Sequence, residues 1–198
     1  GRVDEASAHL ETVASEAAFS GLAEFRATIA AMGATVAEDA VTLAAHLDDF
    51  RAATEDLPEV RVHLLPVVVR AAVAQGRADL GWALVPDDPG PPIERRRLSH
   101  ATALAVLSEA EGDHGVAADA YADLSAAWEA FGFPLEVGQC LLGRARCLHA
   151  LGRDDEAAAA LSGARARFAA LEAAPSLREA DELGSVLEGY AADSIAAS

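Results

Sequence analysis

The stretch Gly152-Arg153-Asp154-Asp155-Glu156-Ala157, followed by Leu161, decides the fold. A glycine that closes one helix in the left-handed conformation, with acidic residues placed at the positive end of the next helix, is a helix-turn-helix signal. The same string opens the chain as Gly1-Arg2-Val3-Asp4-Glu5-Ala6, followed by Leu10, and its turn recurs as Gly76-Arg77-Ala78-Asp79 and Gly112-Asp113. From Gly76 onwards the glycines are separated by 36 and then 40 residues (112 minus 76, 152 minus 112). Periods of that size belong to arrays of helical hairpins. Pro58 stands eighteen residues before Gly76, and Pro134 eighteen before Gly152, so each proline opens the helix that its glycine closes.

Working outward, apolar periodicity and these stop signals predict helices near 3–18, 20–32, 35–56, 59–75, 77–84, 93–111, 114–131, 135–151, 154–172 and 176–191. Pro66 falls inside the helix 59–75, where it removes a backbone hydrogen bond, and a kink is expected there rather than a split. Val85-Pro86-Asp87-Asp88-Pro89-Gly90-Pro91-Pro92 has no helical reading and forms a Pro-rich loop. The expected organisation is one continuous repeat domain: an N-terminal helical sub-stack over 1–84, the loop 85–92, and a C-terminal sub-stack over 93–198. The absence of an initiator Met at position 1, and a first residue already inside a repeat, point to a fragment of a larger protein.

Composition agrees with helices. Hydrophobic residues make up 52% of the 198 residues, aromatics only 5%, and about a quarter of the chain is alanine, the best helix former. All fifteen basic residues are arginine, with no lysine and no asparagine, a pattern that a high-GC coding bias in a bacterium produces. A formal charge of -17 opposes direct binding to nucleic acid or to an anionic membrane. The longest apolar stretch, Val62 to Ala74, is broken by Pro66 and Arg70 and falls short of the roughly 20 residues that span a bilayer. A soluble, cytoplasmic chain is the expectation.

The register places small residues where paired helices should touch: Ala105 and Ala145 on the first helix of two units, and Ala6, Ala117 and Ala157 on the second. Bulky residues, Leu10, Tyr121 and Leu161, follow four places after the second set. This pattern resembles tetratricopeptide repeats, which implies an all-α, right-handed superhelical solenoid of antiparallel helix hairpins. A second helix running through Trp128 to about Phe131, or through Phe168 to about Leu171, is longer than in the ordinary repeat and accounts for a period near 40. HEAT-like repeats have similar length but lack the Gly-[Arg/Asp]-acidic-Ala turn. The stretch from Trp128-Glu129-Ala130-Phe131-Gly132-Phe133-Pro134, through Leu142 to Arg153, to Phe168 and Pro175 is also similar to the C-terminal helical repeats of large bacterial signal-transduction regulators. These are the LuxR-type ATP-binding transcriptional activators, antibiotic-regulatory activators and adenylate cyclases with an ATPase core. The resemblance covers roughly residues 94–190 and implies sensing of an effector or partner, with ATP and DNA handled by other domains.

Residue types that carry chemistry are sparse or badly spaced. The histidines at 9, 46, 63, 100, 114 and 149 form no metal-binding motif, and His100 shares its register with Leu64 and Cys140, as a packed histidine does. Cys140 and Cys147 lie seven residues apart on one helix, about 10 Å along its axis, too far for a disulfide. No phosphate-binding glycine loop is present. Asp48-Asp49, Asp87-Asp88 and Asp154-Asp155 fall on helix surfaces, in the loop and at a cap, where solvation explains them. Neither a catalytic residue nor a cofactor or metal site is assigned.

Arg95-Arg96-Arg97 is the dense basic cluster of an acidic chain and opens a helix just after the Pro-rich loop. It suits an acidic peptide, a phosphate or another domain of the parent chain, against the plainer reading of a solvated face paired with nearby acids. Arg70 and Arg146 hold equivalent register in two units and join the list of partner-binding candidates. A clamp of lysines and asparagines, as in chaperone-binding tetratricopeptide domains, is excluded by composition. The expected function is a non-catalytic interaction or effector-sensing module of a transcriptional regulator, binding a protein or small molecule in a concave groove. The alternatives are a structural or self-associating segment, including a homodimer, and third an enzyme fragment.

Overall fold

A computed structural model of the protein describes residues 5, 6, 8–10, 22–88, 90, 91 and 93–196. Among these residues the structure is all helical, with no strand. The elements are α1 (Ala23–Val36), α2 (Ala40–Ala53), α3 (Pro58–Ala74), α4 (Ala78–Trp82), α5 (Glu94–Ala110), α6 (His114–Phe131), α7 (Pro134–Ala150), α8 (Asp154–Ala170) and α9 (Ala174–Ala196). Residues 5, 6 and 8–10 are helical too. The turn at Gly1-Arg2-Val3-Asp4 and most of the expected helix 3–18 lie outside the described residues. No helix among the described residues is long and apolar enough to cross a membrane.

Helix ends fall where the punctuation puts them. Gly76, Gly112 and Gly152 have φ of 69°, 89° and 71°, the left-handed region that glycine enters without steric cost. At Gly76 and Gly152 the next residue's amide reaches back to close the helix: Arg77 N to Ala72 O and Arg153 N to Leu148 O, both 2.9 Å. Pro58 and Pro134 begin α3 and α7, where their missing N–H costs nothing. Two more left-handed caps, Gly132 (φ 85°) and Glu172 (φ 53°), complete a series at 112, 132, 152 and 172, one every 20 residues. Pro66 does not split α3, which continues across it and buries the ring.

The chain forms two compact units, one within residues 2–111 and the other from Gly112 onwards. The Pro-rich loop therefore lies inside the first unit. There α1 packs on α2 and α3, and α3 in turn packs on α2, α4 and α5. Leu65, Val68, Val69 and Ala72 of α3 are fully buried, as are Leu98, Ala103 and Leu107 of α5. Asp39 caps α2, accepting from the amides of Val41 and Thr42 at 2.8 Å, and these bonds hold its carboxyl below the ordinary range. Arg61 of α3 closes the other end of α2, donating to the Thr54 hydroxyl and to the Arg51 carbonyl.

In the second unit each helix packs on the next, and α7 also touches α9. Size complementarity sets the spacing. A Cβ built on Gly143 of α7 would stand 2.5 Å from Tyr121 Cζ, and one on Gly138 would stand 2.6 Å from Phe168 Cε1. Thus α7 lets an aromatic ring from each neighbour rest on its backbone. Ala117, Ala145 and Ala157 are fully buried, with Tyr121 and Leu161 nearly so, as the small-and-bulky register requires. Cys140 and Cys147 are buried and not joined in a disulfide.

Candidate functional site

The arginine triplet does not form one solvated face. Arg97 is exposed and pairs with Glu94 one turn earlier at 2.7 Å, so it follows the plainer reading. Arg95 is half-buried. Arg96 points inward: its side chain is 3% exposed, and its guanidinium meets the Glu59 carboxylate of α3 at 3.0 Å. Periodicity explains the difference, because Arg96 stands three and seven residues before Ser99 and Ala103, on the buried stripe of α5.

A helical side chain leans toward the N-terminus of its helix. The Arg96 guanidinium accordingly reaches ahead of α5 to lie against Gly90, where a Cβ would stand 2.5 Å from one terminal nitrogen. Gly90 has φ 84°, a second reason for glycine there, and its amide donates to the Asp88 carboxylate at 2.7 Å. His100, one turn beyond Arg96, is half-buried and lies with Nε2 3.0 Å from the Pro86 carbonyl. These contacts tie the loop to α5. His63 of α3 follows Glu59 by one turn: burial pushes its pKa down, and the charges of Arg95 and Arg96 push it further, against an opposing pull from Glu59. His63 Nε2 and Arg96 Nε are both buried without a hydrogen-bond partner.

No protein-family model, curated protein or solved structure matches this chain. The site therefore rests on its own geometry.

The other candidate arginines are on α3 and α7. Arg70 is half-buried on α3, in the same unit as Arg95, Arg96 and Arg97. Arg146 belongs to the second unit, where it bridges α7 to Glu179 of α9 at 2.8 Å. Among the described residues, no group of three or more His, Cys, Asp or Glu side chains is placed to hold a metal ion. His149 meets Asp154 across the turn between α7 and α8 at 2.7 Å, an exposed carboxylate beside a partly buried ring.

Sequence reasoning reached Arg95, Arg96 and Arg97 but treated them as equivalent, and it passed over Glu59 and His63. The stripe Arg96, Ser99, Ala103 was the available signal for inward placement. Nothing local marks Glu59 and His63, since their relevance arises from the packing of α3 on α5.

Proposed function

We propose that this chain is a non-catalytic binding module, a tetratricopeptide-like stack of helix hairpins belonging to a larger bacterial regulator of transcription. Its task in this reading is to sense a partner domain or a small effector in the groove lined by alternate helices. Such a role goes with a cytoplasmic location. The observation that carries the reading is next-but-one packing: α1 touches α3 and α3 touches α5 in the first unit, and α7 touches α9 in the second. Consecutive helices that pack on each other across turns of two or three residues run antiparallel, and contact between alternate helices is how one hairpin stacks on the next. Left-handed caps every 20 residues support a 40-residue repeat.

The test is a thermal-shift screen of the purified chain against small effectors, run with light scattering on a sizing column. Saturable stabilisation of a monomer by one ligand is the expected outcome. A stable dimer that no ligand stabilises would favour self-association. That second reading has its own support in the second unit, where Phe131, Phe133 and Leu135 are each more than a third exposed. Phe131 meets buried Trp128 edge to face at a centroid distance of 5.8 Å, and Phe133 lies tilted against it at 5.5 Å.

A further inference from the structure

We draw no further inference here: the strongest candidate, the exposed apolar patch of Phe131, Phe133 and Leu135 at the turn between α6 and α7, belongs to the self-association reading already described, and nothing in the structure shows what covers it.

Discussion

At the scale of the residue, two side chains sit where their chemistry is disfavoured. Glu172 occupies a left-handed cap with φ 53°, the place taken by glycine at 112, 132 and 152. A Cβ in that region costs roughly 1–2 kcal/mol, and glycine recovers most of it while adding some freedom to the unfolded chain. Glu172→Gly should therefore stabilise the protein by about 0.5–1 kcal/mol in urea denaturation, and an unchanged midpoint would contradict the assignment of strain. His63 carries the other cost. Its pKa is depressed in the folded state by burial and by Arg95 and Arg96 of α5, with Glu59 of α3 opposing. The unfolded chain then binds the proton more readily, so this contribution is absent well above the ordinary histidine value near 6.5 and destabilises the fold as pH falls through it. The difference in melting temperature between His63→Phe and wild type should grow in favour of the variant from pH 7.5 to pH 5. A difference constant across that range would sink the idea.

At the scale of the element, helix spacing is set by which positions lack a Cβ. Gly143 and Gly115 are both helical glycines, and intrinsic propensity favours alanine over either by about 1 kcal/mol. Only packing separates them. A Cβ on Gly143 would stand 2.5 Å from Tyr121 Cζ, on a ring that is 1% exposed and has nowhere to move, whereas nothing lies within 4 Å of a Cβ on Gly115. Gly143→Ala should force α6 and α7 apart and cost about 1–3 kcal/mol, while Gly115→Ala should gain a few tenths to about 1 kcal/mol. Equal effects in a thermal melt would show that α6 and α7 do not meet through Tyr121. The same contrast explains what was legible in the sequence. Gly76, Gly112, Gly152, Pro58 and Pro134 are local signals that act through φ alone, and they mark helix ends correctly. Glu172 carries no such signal, and its cap follows only from the turn it must complete. Pro66 is expected to kink its helix rather than split it, and α3 does run on, with the apolar residues on both sides of the proline buried together. The buried cluster was least legible: Arg96 reads as one of three equivalent arginines until its stripe with Ser99 and Ala103 is followed, and Glu59 and His63 join it only when α3 packs on α5.

At the scale of the whole molecule, the governing quantity is charge. The chain carries 32 acidic and 15 basic residues, so even with every arginine paired, more than half of the carboxylates would have no cationic partner. Among the described residues many ion pairs are exposed, as in Arg51–Asp48, Arg153–Glu156 and Arg167–Glu129, and such pairs contribute about 0–1 kcal/mol each. Salt acts on both sides of this balance, weakening the pairs and weakening the repulsion among the excess carboxylates. The pairs span one bond length of space and are screened little at their contact distance, whereas the repulsion acts over many ångströms. It is cut strongly when the Debye length falls from about 30 Å at 0.01 M salt to about 8 Å at 0.15 M. Repulsion is greater in the folded chain than in the expanded one, so its relief favours folding. The melting temperature should accordingly rise between 10 mM and 300 mM NaCl, by roughly 2–4 °C for each 1 kcal/mol relieved in a chain of this size. A fall would mean that the ion pairs outweigh the acidic excess. The same arithmetic bears on what the molecule meets: a basic partner should bind faster at low salt and lose that advantage as the attraction is screened, so stability and association should respond to salt with opposite signs.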